Sequence, residues 1–234
     1  MKIFSISDLH LSINNSKPMN IFGPVWEGYL DKIVFDWKSK VTDQDVVLLA
    51  GDLSWAMKLE DAKEDLKFLE KLPGKKIIIK GNHDYWWSTI SKVRSNLPKN
   101  VFALQNDCIE IEDIIFCGTR GWLIEGDSAT SQDKKIFDRE LIRLEMSLKT
   151  AKQKQTKGQR IVCLMHYPPF DKYGNPTKFT KLIEEYNVTS VVYGHLHGKV
   201  PFAKQKLVLN DVAYYLTSCD MVGNKLIEVS VEDI

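Results

Sequence analysis

Five short apolar runs along this chain each end in a cluster of polar residues drawn from one small set, and that repetition restricts the fold. KIFSIS (2–7) leads into Asp8-Leu9-His10, DVVLLA (45–50) into Gly51-Asp52, and KKIIIK (75–80) into Gly81-Asn82-His83-Asp84. RIVCLM (160–165) leads into His166, and TSVVY (189–193) into Gly194-His195-Leu196-His197. Apolar runs this short, bounded by turn residues and separated by helical segments, read as strands of an α/β fold. Every histidine of the chain follows one of these runs. In an open α/β sheet the carboxyl ends of the strands open onto one crevice, so residues from Asp8 to His197 are expected to meet there.

The connecting segments fit that plan. After Pro24, the residues Trp26, Tyr29, Leu30, Ile33, Val34 and Trp37 recur at spacings of three and four and predict one apolar helical face, with both tryptophans in the core. LEDAKEDLKFLEKL (59–72) predicts a second helix with Leu66, Leu69 and Leu72 inward and Pro73-Gly74 as its stop. DCIEIEDIIFCG (107–118) reads as a hairpin turning at Glu112-Asp113, and residues 131–153 as a long amphipathic helix. The last third is strand-rich, with turns at Asn210-Asp211 and Gly223-Asn224. No repeat or linker divides the chain, so one domain over 1–234 is expected, with a cap or insertion at about 119–159.

Charge narrows the partners. With 32 basic and 31 acidic residues the net charge is +1, which offers no global field for duplex nucleic acid or an anionic membrane. The basic run 149–160 lacks interleaved aromatics and reads as a solvated helix end and loop. No apolar stretch approaches the roughly 20 residues a spanning helix needs, and the N-terminus lacks a leader pattern, so a cytoplasmic location is expected. Cys108, Cys117, Cys163 and Cys219 are widely spaced within apolar runs and are expected as reduced core thiols.

The polar clusters together make a donor set. Asp8, His10, Asp52, Asn82, His166, His195 and His197 are seven side chains, more than one ion takes from protein. Imidazole, carboxylate and amide without thiolate suit Mn, Fe, Zn, Ni or Co and argue against a closed structural zinc site. If Asp52 bridges, the seven divide into two four-donor shells, and two transition-metal ions, divalent or trivalent, about 3.5 to 4 Å apart can activate water and clamp a phosphoryl group.

DLH, GD, GNHD, HYPP and GHLH, in that order over positions 8 to 197, resemble the five-block signature of the calcineurin-like metallophosphoesterases, in a form closest to a bacterial phosphodiesterase-like branch. The resemblance implies a four-layer α/β fold, two packed mixed sheets flanked by helices, with a dinuclear centre at the strand ends. It implies one metal held by Asp8, His10, Asp52 and His197, and the other by Asp52, Asn82, His166 and His195. It further implies that His83 stabilises or protonates at the phosphoryl group, with Asp84 orienting it and holding it protonated. The expected activity is hydrolysis of a phosphodiester or phosphomonoester by attack of a metal-bound hydroxide on phosphorus. Asp52 is followed by LSWAM in place of the extension found in Ser/Thr protein phosphatases, and His83 stands where the lipid A pathway pyrophosphohydrolases carry arginine. A small phosphorylated substrate is therefore expected; a nuclease-type phosphodiesterase and a non-catalytic binding scaffold on the same fold are the alternatives.

Outside the signature, Arg120 in GTRGWLIEGD is a candidate to fork onto a substrate phosphate, with a salt bridge at a turn as the competing reading. Of Tyr85, Trp86 and Trp87, only Tyr85 is a pocket candidate; the two tryptophans read as packing.

Overall fold

The computed structural model describes residues 1–13, 17–123 and 130–232. Its strands are β1 (Ile3–Ile6), β2 (Val46–Leu49), β3 (Lys75–Ile78), β4 (Val101–Ala103), β5 (Ile109–Ile111), β6 (Ile114–Thr119), β7 (Arg160–Met165), β8 (Ser190–Tyr193), β9 (Lys206–Leu209), β10 (Val212–Leu216) and β11 (Ile227–Glu228). The helices are α1 (Tyr29–Lys40), α2 (Lys63–Glu70), α3 (Ile90–Arg94), α4 (Ser131–Lys154) and α5 (Lys178–Glu185). One sheet has the order β11-β1-β2-β3-β4 and the other β5-β6-β7-β8-β10-β9. In each the central strands are parallel, and the antiparallel partners β11, β5 and β9 lie at edges.

Continuous apolar runs are what strands covered on both faces require. Along β2, Val46 and Leu48, with Ile77 of β3, face the second sheet, where they meet Phe116, Val162, Leu164 and Val192, while Val47 and Leu49 face the helices. Ile33 and Trp37 of α1, Leu66 and Leu69 of α2, and Val93 of α3 cover the first sheet. Leu144, Leu148 and Ala151 of α4, with Phe179 and Ile183 of α5, cover the second. The result is the expected helix, sheet, sheet, helix layering. The sheets also meet at their ends: Ser7 N–H donates to Thr217 O (2.8 Å) and Cys219 N–H to Ser7 O (3.1 Å), just beyond β1 and β10.

The helix predicted from Pro24 begins later. Residues Pro24–Trp26 form a single 3-10 turn, and Gly28, at φ +57, redirects the chain before α1 starts at Tyr29. A left-handed residue cannot continue a helix, so Trp26 leaves the α1 face although it is buried. The second helix is regular only over Lys63–Glu70, with Leu66, Leu69 and Leu72 buried as expected.

The predicted hairpin forms, and the predicted turn at Asn210-Asp211 closes a second one. Glu112 takes φ +55 between β5 and β6, and Asn210 and Asp211 take +49 and +62 between β9 and β10, the two positive values a tight two-residue hairpin needs. After the Gly223-Asn224 turn, the strand-rich C-terminal expectation reduces to the two residues of β11. A capping box between Thr130 and Asp133 starts α4, which lies along the outer face of the second sheet; residues 124–129 of the segment expected as a cap lie outside the described residues. All four cysteines are buried and free. No helix among the described residues is long and apolar enough to cross a membrane.

Phe116, fully buried between the sheets, tests this layering. Phe116→Ala is expected to lower the urea-unfolding free energy by about 3–5 kcal/mol with an unchanged denaturant slope.

Candidate metal centre

The loops after β1, β2, β3, β7 and β8 converge at the carboxyl ends of the strands, and all seven predicted donors meet there. Asp8, His10, Asp52 and His195 take left-handed φ values of +58, +46, +51 and +70, which turn each chain sharply at its strand end and aim its side chain into the crevice. Two glycines of the motifs are required by crowding. A Cβ on Gly81 would strike the Asp52 carboxylate, and one on Gly194 would strike the Asp8 carboxylate and the Ser7 hydroxyl.

Asp52 stands in the middle. Its Oδ2 lies 3.8 Å from His10 Nε2 and its Oδ1 3.5 Å from His166 Nε2, so its two oxygens face different histidines. On one side Asp8 Oδ1 lies 3.6 Å from His197 Nε2. On the other, Asn82 Oδ1 lies 2.6 Å from His166 Nε2 and 2.9 Å from His195 Nδ1. Asp8 also approaches His166, at 4.0 Å from Nδ1. Two triads, Asp8 with His10 and His197, and Asp8 with Asp52 and His166, are compact enough to hold a metal ion.

The chemistry of the donors fits a cation. His166 Nδ1–H donates to Ala50 O at 2.9 Å, which leaves the Nε2 lone pair directed at Asn82 Oδ1, another acceptor. Burial, which outweighs the opposing field of Asp8, lowers the His166 pKa from 6.5 to about 3, so the neutral ring is favoured and a bridging proton is not. Burial, then the neighbouring histidines, likewise takes His10 to about 2 and His195 to about 4. Neutral imidazoles are what a metal requires. Asp52 moves the other way, raised far above the carboxylate range by burial first and then by Asp8 and Asp84; a cation between the carboxylates would remove that penalty.

Supporting contacts fix the rings. His197 Nδ1–H donates to Asp220 Oδ1 at 2.8 Å, the carboxylate-to-histidine arrangement that orients a metal ligand. For His197 burial favours the neutral form, but Asp220 and then Asp8 outweigh it and raise the pKa. Ser7 Oγ–H donates to Asp8 Oδ2 at 2.5 Å, and Trp55 stacks on His10 with ring centroids 4.7 Å apart. Asp220, Trp55 and Ser7 carry no motif signal, and Trp26, expected only as core, packs on His10 and His197 at 6.1 and 5.9 Å.

His83 lies beside the donors, its Nε2 4.0 Å from Asp52 Oδ2 and its ring 4.7 Å from that of Trp55. The expectation that Asp84 holds this ring protonated is not met. The buried Asp84 carboxylate accepts instead from the backbone N–H groups of Gly81 (2.8 Å), Leu53 (2.9 Å) and Ser54 (3.1 Å) and from Trp86 Nε1 (2.9 Å), tying the loop after β3 to the loop after β2. Without that carboxylate against it, His83 has a lowered pKa, through burial, then His197 and Lys17. Tyr85 is exposed, edge-on to His83 at 6.2 Å, whereas Trp86 and Trp87 are buried. The Arg120 guanidinium is directed away from the centre, its Nη2 3.6 Å from Glu140 Oε1, as the salt-bridge reading expects.

Residues 1–199 match the calcineurin-like phosphoesterases, and the chain belongs to that family. It is 26% identical over 222 residues, 85% of this chain and 76% of the relative, to a probable cyclic nucleotide phosphodiesterase of Coxiella burnetii. In fold it is similar to a protein of Thermus thermophilus (TM-score 0.56, 16% identity, 98% of each chain). It is also similar to an Aquifex aeolicus protein of unknown function (TM-score 0.50, 17% identity, 97% of this chain and 95% of that one).

The contrast between Asp84 and its neighbour can be measured. Asp84→Ala leaves four buried donors unsatisfied and is expected to cost about 3 kcal/mol or more in urea unfolding, while His83→Ala costs well under about 1 kcal/mol. Because the folded pKa values of His10, His166 and His195 are depressed below 6.5, their contribution to stability is present above that pH and is lost as pH falls toward those values. Chelator-treated protein is therefore expected to lose unfolding free energy steeply below about pH 6.5, by urea titration across roughly pH 4.5–8, and saturating Mn is expected to flatten that limb.

Proposed function

We propose that this protein is a metal-dependent phosphohydrolase that cleaves a small phosphodiester in preference to a monoester. The observation that carries the proposal is the position of Asp52, whose two oxygens face separate histidine sets. On this reading Asp8, His10, Asp52 and His197 hold one ion, and Asp52, Asn82, His166 and His195 the other. The ions, drawn from Mn, Fe, Zn, Ni or Co, supply a water nucleophile at neutral pH and neutralise charge on the phosphoryl oxygens.

The chain's own residues do the rest. Asp52 and Asn82 set the spacing of the two halves, and Asp220 and Ala50 O hold His197 and His166 with the correct nitrogen inward. His83 Nε2 is placed to present a proton to the departing ester oxygen as general acid. Trp55 packs both His10 and His83 and so fixes the distance between the ligand set and the acid. Asp84 contributes through the backbone of the loop that carries Asn82 and His83.

An adjoining cleft of about 380 Å³ supports the diester preference. His10, His83 and His197 form its floor, and Met19, Phe22, Val25, Trp26 and Trp55 form an apolar wall. A phosphate monoester of a small polar alcohol has nothing to place against that wall, whereas the second ester group of a diester, aromatic or nucleoside, does. The Coxiella relative's name points to the same substrate class. A non-catalytic scaffold is less well supported, since none of the seven donors is missing.

The test is hydrolysis of bis-(p-nitrophenyl) phosphate and p-nitrophenyl phosphate by metal-stripped protein resupplied with Mn, Ni, Zn, Fe or Mg. Turnover is expected to return with a transition metal and to favour the diester. His83→Ala is expected to lower kcat by about 10²–10⁴ with an unchanged metal content. Turnover indifferent to metal, or to His83, would refute the assignment.

A further inference from the structure

A second cavity, of about 260 Å³, opens where the carboxyl ends of β3, β4 and β6 meet α4. Lys80, Arg120, Arg139 and Arg143 line it, and among the residues lining it Glu140 is the one acid. Glu140 is fully buried and already spoken for. Its Oε2 accepts from Thr119 Oγ1 at 2.8 Å, and its Oε1 takes Arg143 at 2.7 Å, with Arg120 and Arg139 both 3.6 Å away. One carboxylate cannot satisfy three guanidiniums with five donors apiece. The buried Nε–H of Arg120 accordingly has no hydrogen-bond partner among the described residues.

Surplus positive charge in a recess is costly unless an anion joins it, and guanidinium forks match the oxygens of phosphate. We propose that this cavity is a second binding site, distinct from the metal centre, for a phosphate-type polyanion. It backs directly onto the ligand loops: Arg120 O accepts the backbone N–H groups of His166 (3.1 Å) and Tyr167 (2.9 Å), and Lys80 immediately precedes Gly81-Asn82. The anion is either a remote phosphoryl group of an extended substrate or a separate effector. Both present the same chemistry to the pocket.

The probe is inorganic pyrophosphate, titrated calorimetrically into the intact protein and into Arg139→Ala, Arg143→Ala and Asp52→Asn. The Arg139 and Arg143 side chains are 50% and 38% exposed, so these changes leave the core intact, and equal melting temperatures verify it. Each arginine variant is expected to bind about tenfold or more weakly, the loss of one charge-assisted contact, while Asp52→Asn retains the site. Wild-type affinity in both arginine variants, loss of all binding in Asp52→Asn, or no binding to wild type overturns the proposal. Diester hydrolysis in excess Mn then separates the two sources. A rise in KM with pyrophosphate identifies a substrate subsite and a change in kcat identifies an effector site, each abolished by Arg139→Ala. An effect of the same size in Arg139→Ala places the anion at the metal centre and overturns the proposal.

Discussion

Two carboxylates buried close together, Asp8 and Asp52, are the constraint around which the crevice is built. Neither is more than 1% exposed, and each repels the other in a region from which water is excluded. The backbone holds them there through left-handed residues, and the chain passes so near that only glycine fits at positions 81 and 194. Such an arrangement is unfavourable for a fold by itself and becomes favourable with cations between the oxygens. The lowered pKa values of His10, His166 and His195 and the acceptor-to-acceptor approach of His166 and Asn82 fit the same explanation.

The parts legible in the sequence are those written locally. A strand covered on both faces is a run of apolar residues, and a polar cluster at its end needs no tertiary information to be recognised. β1, β2, β3, β7 and β8, and the seven donors that follow them, are readable for this reason. The displaced start of α1 has a local cause as well: Gly28 interrupts the periodicity that the spacing from Pro24 and Trp26 suggests. The supporting residues are not readable at all. Asp220 meets His197, and Asp84 meets Leu53 and Ser54, only because packing brings separate segments together. An aspartate beside a histidine in sequence suggests an ion pair, but four nearby N–H donors compete for that carboxylate and win.

The division of labour that results is uneven. Donor residues sit on short turns tied to strands and have little freedom, whereas the apolar wall comes from Met19, Phe22, Val25 and Trp26, in two 3-10 turns ahead of α1. Phe22 is largely exposed, so it adds little to the stability of the fold and is available to a ligand. In a family where the reacting centre is shared, selectivity is expected to reside in such surface segments.

The seam between Ser7 and Thr217–Cys219 joins segments 210 residues apart in the chain. Asp8 and His10 leave the ribosome before the other donors, yet β1 must be flanked by β2 on one side and β11 on the other, and its end must be latched to the end of β10. The burial of Asp8 therefore depends on segments far apart along the chain, and contacts so distant close late. A chain without the segment from His166 onward would carry both carboxylates and His10 but lack His166, His195 and His197, so the donor set closes only when the second sheet packs against the first.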